Sequence, residues 1–255
     1  MNQDENLILD ELTKKKVSVW KRFATFFTDL ILIVGIFIAL FFTVGDLVIS
    51  NVAKSSIGKI NEIYASECVK RDVPYKEGTY GIYEVDKDKY IAKIIGTSAS
   101  YEDAMEKYNN MYYEIDTAIQ SGEGYSDAYI KFSATYYVTF LVSAFIPTFV
   151  FLFLIPVLNK GRKTIGMLIT KTSLAQDKTN VICSGGRVGV RCLSIYAIEF
   201  ALPYAIGQLL GLGFVIIINI LTISLTKKRK GIHDFLTQCH VEKQEFTYTE
   251  APIEE

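Results

Sequence analysis

The amino-acid sequence predicts an all-α membrane protein with four transmembrane helices. Residues 23–44 include 15 Leu, Ile, Val or Phe, residues 132–159 include no charged side chain, and residues 192–226 include only Glu199. A bilayer core about 30 Å thick requires about 20 mostly apolar residues as helix. The third stretch is long enough for two helices separated near its glycines. The predicted spans are about 23–45, 134–158, 189–206 and 209–226.

The first span carries an acidic residue, Asp29, seven positions after Arg22. An aspartate at the centre of a span costs about 2.5–3.5 kcal/mol, whereas each Leu, Ile, Phe or Val favours insertion by about 0.3–0.6 kcal/mol. The apolar residues together favour insertion by about 6 kcal/mol, so the span is expected to insert. The polar residues before it and the lack of a small-residue cleavage site favour a membrane helix over a cleaved signal peptide.

The distribution of Lys and Arg predicts the orientation. Basic residues cluster before the first span, between the second and third, and after the fourth, at Lys14, Lys15, Lys16, Lys21, Arg22, Lys160, Arg162, Lys163, Lys171, Lys178, Arg187, Arg191, Lys227, Lys228, Arg229 and Lys230. Such clusters mark the cytoplasmic side, so both termini are expected inside. The predicted organisation is a cytoplasmic segment 1–19, a transmembrane domain 20–50 and 132–242, an extracellular insertion 51–131 and a disordered cytoplasmic tail 243–255.

The insertion 51–131 is predicted to be a small α/β element. The stretch TYGIYEVDKDKYIAKII alternates apolar and polar residues around Asp86, which predicts a hairpin that turns there. Ser100 and Asp103 form a capping-box pattern at the start of a following helix. Eleven of the sixteen tyrosines lie in this segment. We expect them to pack close to the lipid headgroups, with a sugar- or peptide-binding surface as the alternative.

A small cytoplasmic β element is predicted near the inner membrane face. The stretch TIGMLITKTSLAQDKTNVICSGG has two β-prone parts around a polar turn from Gln176 to Asn180, and FLTQCHVEK supplies a third strand. The four cysteines show no paired spacing. His233, Cys239 and His240 match no zinc pattern, so neither a metal nor another cofactor is expected.

Two acids within the spans are the candidate functional residues. Asp29 lies about 10 Å beyond Arg22 along its helix, and Glu199 lies about 12 Å beyond Arg191. Because both helices start at the cytoplasmic side, the two carboxylates are expected at similar depth. They bind a cation or exchange a proton, or each is held by a fixed polar partner. The candidate partners are Arg191, Thr25, Thr28 and Tyr196. Gln208 and Asn219 are expected to form interhelical hydrogen bonds.

Several short motifs together resemble one protein family. They are Arg22 with Asp29, the loop GRKTIGM at 161–167, Arg187 with Arg191, and GIHD at 231–234. This combination resembles the RDD family of mostly bacterial membrane proteins, over about 17–50 and 135–242. The resemblance implies that Arg22, Asp29 and Asp234 are the family's arginine and two aspartates. It also implies transport of a solute, with sodium–proton exchange in a few members.

We therefore expect a plasma-membrane protein that transports a solute or exchanges a monovalent cation for protons at Asp29 and Glu199. Arg187 and Arg191 are expected to anchor the cytoplasmic face. We also expect that Arg22 pairs with Asp234 or that Asp29 pairs with an arginine. The alternative is a non-catalytic scaffold whose insertion binds an extracellular protein. The lipid bilayer is one expected partner, and the short spans are compatible with a homodimer. With a net charge of −1 and no catalytic motif, neither nucleic-acid binding nor enzymatic activity is expected.

Overall fold

The computed structural model describes residues 17–98, 100–159, 162–177, 181–207, 209–226 and 230–244, except for the side chains of 205–216. The chain divides into two compact units. The core unit consists of Met1–Ala39 with Leu141–Glu255, and the inserted unit of Leu40–Phe140. The predicted insertion, 51–131, lies within the second of these.

Most described residues are helical. In chain order the helices and strands are α1 (Val19–Leu40), α2 (Asp46–Val52), α3 (Lys54–Lys70), β1 (Tyr75–Glu77), β2 (Tyr83–Val85), α4 (Lys87–Ile94), α5 (Tyr101–Gln120), α6 (Tyr125–Phe149), α7 (Ile155–Leu158), α8 (Ile165–Thr170), β3 (Thr172–Gln176), α9 (Gly185–Ile195), α10 (Leu202–Gly207), α11 (Leu209–Leu225), α12 (Ile232–Thr237) and β4 (Cys239–Lys243). Short π-helical turns at Phe41–Gly45, Val150–Leu154 and Tyr196–Ala201 join consecutive helices into longer runs.

Two helical runs, Val19–Val52 and Tyr125–Leu158, are long and apolar enough to cross a membrane. They contain the predicted spans 23–45 and 134–158, and large apolar side chains such as Ile31 and Phe42 are exposed along the first. Such exposure suits contact with lipid. The predicted third and fourth spans coincide with helical residues, but within the described ranges only the first two runs are long and apolar enough to cross a membrane. The count of four spans therefore stays a prediction.

The core unit contains the predicted β element. Strands β3 and β4 pair antiparallel with Leu174 opposite Val241, and Ile182 forms a bridge to Ala175. The predicted pairing of the loop with the C-terminal segment is confirmed, although part of its turn, 178–180, lies outside the described residues. Cys183 and Cys239 lie close together beside these strands, a proximity that the cysteine spacing did not indicate.

The segments that carry β3 and β4 share one local design. Each has a six-residue helix, then one residue in the left-handed conformation, then a five-residue strand. The left-handed residues are Lys171 and Gln238, with φ of 54° and 51°. Leu174 and Val241, which face each other in the sheet, are the third residue of their strands. The segments α8–β3 and α12–β4 therefore form an internal repeat with approximate two-fold symmetry.

The inserted unit has a hydrophobic core of its own. Its buried members are Cys68, Val73, Val85, Ile115 and Ile119, with several tyrosines packed against them. The predicted helix after Ser100 is confirmed, because the Ser100 side chain accepts a hydrogen bond from the Asp103 N–H at the start of α5. Packing of tyrosines around this core agrees with the structural interpretation of the tyrosine-rich segment.

The predicted hairpin around Asp86 is wrong. Strand β2 ends at Val85 and pairs with β1 on its N-terminal side, across a 3₁₀ turn at Thr79–Gly81. The Asp86 side chain accepts a hydrogen bond from the Lys89 N–H and caps α4. Aspartate is a strong helix-capping residue, and here this local preference overrides the alternating pattern on which the prediction depended.

Candidate functional site

The buried charges of the core unit converge on Asp234, the third residue of α12, which is 0% exposed. Arg22 Nη2 donates a hydrogen bond to Oδ2 at 2.7 Å, and Arg191 Nε donates one to Oδ1 at 2.9 Å. The N–H of Gly231 also donates to Oδ2, at 3.0 Å. The predicted pair of Arg22 and Asp234 is confirmed, and Arg191 is a second partner.

These contacts determine the charge state of Asp234. Burial would raise the pKa of its carboxyl group, but His233, Arg191 and Arg22 outweigh burial and hold that pKa well below its usual range. Asp234 is therefore ionised at neutral pH. Arg191, which we predicted as an anchor at the membrane face, is buried within this network. Among the described contacts, Arg187 contributes only its backbone N–H, to the Ser184 hydroxyl that caps α9.

Glu199 is held by a second group of residues. Its Oε1 accepts a hydrogen bond from Asn219 Nδ2 at 2.8 Å and lies 3.0 Å from His233 Nδ1. Asn219 Oδ1 accepts in turn from the Ile232 N–H at 3.2 Å, so the expected interhelical role of Asn219 is confirmed. Gln208 lies outside the described residues. On its other side, His233 Nε2 lies 3.0 Å from Arg191 Nη2, which joins both groups into one chain of contacts.

A π-helical turn, Tyr196–Ala201, aligns Glu199 with this chain. Glu199 follows Arg191 by eight residues, which in a regular α-helix would rotate the two side chains about 80° apart. A π-helical turn accommodates one additional residue, so it returns Glu199 to the side of the helix occupied by Arg191. Both side chains consequently reach the imidazole of His233. Helical rise, on which the predicted depth of Glu199 depends, does not reveal this turn.

Asp29 takes no part in the described hydrogen bonds of that chain. Its Oδ2 accepts from the Thr164 hydroxyl at 2.6 Å and its Oδ1 from the Gly166 N–H at 2.8 Å. The Thr164 hydroxyl also accepts from the Met167 N–H at 3.2 Å and so caps α8. Thr25, Thr28 and Tyr196, which we predicted as candidate partners of Asp29 and Glu199, form their described hydrogen bonds with other groups. Asp29 fixes the start of α8 against α1.

Comparison with protein families matches residues 16–238 to the RDD family. The chain belongs to the RDD family. The matched range contains Arg22, Asp29, Glu199, His233 and Asp234, so all the groups described above lie within it. No curated protein and no solved structure matches the chain. Family membership, together with the two long apolar helices, identifies an RDD-type membrane protein.

The internal repeat of this RDD protein places Asp29 and Glu199 beside equivalent positions of its two short helices. Asp29 contacts Gly166, the second residue of α8, and Glu199 contacts His233, the second residue of α12. A Cβ atom at position 166 would lie 2.3 Å from the Thr25 carbonyl oxygen, so the first segment has no room for a side chain there. The second segment places a titratable imidazole at the equivalent position.

A cavity of about 60 Å³ lies beside these groups. Its polar lining consists of Arg22, Thr25, Asp29, Arg191, Glu199 and His233. Arg22 Nη1 is buried and has no hydrogen-bond partner within the described part of the chain. A water molecule needs about 10–15 Å³ of such space, so several waters fit and one of them can satisfy this donor. Asp29 and Glu199 line the same cavity, which agrees with their predicted similar depth.

His233, Thr164 and Gly166 belong to the site but are not among the predicted functional residues. As a candidate metal ligand His233 matches no zinc pattern, and the described residues contain no group of three or more His, Cys, Asp or Glu arranged to hold a metal ion. The one available signal was position: His233 directly precedes Asp234 in the GIHD motif. Thr164 and Gly166 likewise lie in the GRKTIGM motif, whose function as the partner of Asp29 requires the tertiary structure.

Proposed function

We propose that this RDD protein is a transporter that couples proton movement to a monovalent cation or another small solute. The observation that carries the proposal is the charge balance of the buried centre. Arg22 and Arg191 carry two formal positive charges, and Asp29, Glu199 and Asp234 carry three formal negative charges, all on buried residues. With a neutral His233, the formal net charge of this centre is −1.

An uncompensated buried charge is costly, so the centre favours uptake of one positive charge. A proton on the Glu199–His233 pair would supply it, and so would a monovalent cation in the adjacent cavity. A proton and a cation that each neutralise the same excess negative charge compete for the centre, and this competition is the basis of exchange. Acidic residues inside membrane-spanning helices commonly mark ion or proton pathways.

The proposal includes the predicted topology. Both termini and the α8–β3 and α12–β4 segments lie on the cytoplasmic side of the plasma membrane, so the centre is close to the inner mouth of a four-span bundle. The function is non-enzymatic, and the short spans leave room for assembly as a homodimer. The exchangeable proton binds at the Glu199–His233 pair, whereas Asp29 maintains the position of α8.

Purified protein in vesicles that enclose a pH-sensitive dye tests this function. We expect an imposed pH gradient to dissipate when Na⁺, K⁺ or Li⁺ is added, and to persist in vesicles containing Glu199→Gln. Glu62→Gln, which changes an exposed acid of the inserted unit, should dissipate the gradient like the wild type. Correctly folded wild-type protein that leaves the gradient intact with every cation would contradict proton–cation exchange.

The inserted unit favours a second candidate function, that of a scaffold. This unit has its own core, and tyrosines such as Tyr101 and Tyr113 expose most of their side chains. Exposed tyrosines suit contact with a protein partner. Deletion of 51–131 discriminates between the two functions. A transporter retains cation-dependent proton flux after the deletion, whereas a scaffold shows no flux and loses a stoichiometric partner.

A further inference from the structure

We infer that His233 holds the transported proton on Nε2 and that its protonation releases one contact of Arg191. This inference rests on the proposed function and assigns its proton site. His233 is 5% exposed and lies between the Glu199 carboxylate on one side and Arg191 with Asp234 on the other.

The neighbours determine which tautomer of His233 is present. A guanidinium group can only donate, so Arg191 Nη2 at 3.0 Å requires an unprotonated, accepting Nε2. An ionised carboxylate can only accept, so Glu199 Oε1 at 3.0 Å requires a proton on Nδ1. Neutral imidazole has one donor and one acceptor. The tautomer with the proton on Nδ1 therefore satisfies both contacts.

A second proton changes these contacts in a defined way. When it binds Nε2, it places a donor and a positive charge against Arg191 Nη2, which repels both. An acceptor is close by, because Asp234 Oδ1 lies 3.3 Å from Nε2. The new N–H can donate to this oxygen, while Arg191 retains its Nε contact to Asp234 and turns Nη2 toward the cavity. The proton enters from solution and leaves by the same bond, and no other bond changes.

The surrounding charges accommodate this step. The groups that face or adjoin His233 are Arg22 from α1, Arg191 from α9, Glu199 from the π-helical turn, Asn219 from α11 and Asp234 from its own helix, with Asp29 across the cavity. Their net charge is −1, so a positively charged imidazole brings the centre to zero. Protonation therefore removes the charge deficit of the buried centre.

The internal repeat shows that packing alone does not require an imidazole at this position. The equivalent residue of the first segment is Gly166, where the backbone N–H binds Asp29 directly. That contact fixes α8 without a titratable side chain at position 166. His233 is therefore the difference between the two halves, because it places an imidazole beside Glu199 where Asp29 meets a backbone N–H.

Nitrogen NMR of histidine-labelled protein in lipid nanodiscs tests the inference on the intact chain. The sequence contains two histidines, so the signal that disappears in His233→Gln identifies His233. In mildly alkaline buffer we expect a proton on Nδ1 and none on Nε2. In mildly acidic buffer we expect Nε2 to gain a proton while Nδ1 keeps its own. A proton on Nε2 of the neutral ring, or a ring that stays neutral, overturns the inference.

Proton flux in vesicles completes the test. His233→Gln should reduce cation-dependent flux to the level of vesicles without protein, whereas His240→Gln, which changes the other histidine, should retain flux. The two failures are distinguishable. A His233 that does not titrate in a protein that exchanges protons overturns this inference alone. A His233 that titrates as expected in a protein without flux overturns the proposed function and, with it, the assignment of His233 as a transport site.

Discussion

Asp234 is the residue whose charge the buried centre most requires, because both Arg22 and Arg191 donate to it. Asp234→Asn leaves the two arginines without this counter-charge, and removal of one partner from a buried ion pair typically costs about 3–5 kcal/mol. We expect a loss of this size in the free energy of unfolding, measured by detergent denaturation and circular dichroism. Asp72→Asn, which removes an exposed partner of Lys93, is the control and should cause little change.

The contribution of Asp234 also depends on pH in a predictable direction. Its pKa is lowered in the folded protein, so its stabilisation is complete above the pKa of an unfolded aspartate, about 3.9. As the pH falls further, through the lower folded pKa, this stabilisation is lost. The difference in unfolding free energy between wild type and Asp234→Asn should therefore shrink as the pH falls below about 3.9. A difference that grows over this acidic range would contradict the assignment.

The space around position 166 accommodates glycine but not a larger residue. A side chain at this position would collide with the Thr25 carbonyl, a backbone atom that cannot move away cheaply. Gly166→Ala should lower the free energy of unfolding by about 1–3 kcal/mol, measured by the same denaturation. Gly35→Ala, whose added Cβ would meet no atom within 4 Å, is the matched control. It should leave stability unchanged or raise it by about 0.5–1 kcal/mol.

At the scale of secondary structure, one side chain holds the β1–β2 hairpin of the inserted unit. Asn61 Nδ2 donates to the Gly81 carbonyl at 2.7 Å, and Asn61 Oδ1 accepts from the Tyr83 N–H at 2.8 Å. Asn61→Ala should reduce the local opening free energy by about 1–2 kcal/mol. Faster hydrogen exchange at the Tyr83 amide would report this change. Asn110→Ala, on the exposed surface of α5, should leave that exchange rate unaltered; equal acceleration by both would refute the assignment.

The elements also show where local patterns are sufficient and where they fail. Ser100 and Asp103 form a cap that depends on a few adjacent residues, so the sequence alone predicted it. The π-helical turn around Glu199 was not predicted, because an apolar run reveals that a helix exists but not how many residues each turn contains. The hairpin near Asp86 was misplaced for a related reason. A capping aspartate and a turn aspartate look alike until the partner strand is known.

At the scale of the whole molecule, the charge pattern predicts which side each part occupies. Single cysteines at Asp88, in the inserted unit, and at Glu255 test it with an impermeant thiol reagent. In intact cells we expect labelling at 88 and not at 255, because basic clusters retain the tail inside. Both sites should react after lysis, which is the control. Labelling of intact cells only at 255 would reverse the predicted topology and remove the argument for similar depth.

Apolar runs, basic clusters and the Arg22, Asp29 and Asp234 motif determined the membrane character, the expected orientation and the family, because these properties depend on residue type and spacing. The tertiary structure decided which partner each charge has. Glu199 meets His233 across 34 residues and Asp29 meets Thr164 across 135, contacts that no local spacing encodes. Helix packing brings these groups together, and because they are buried, an uncompensated charge among them costs free energy.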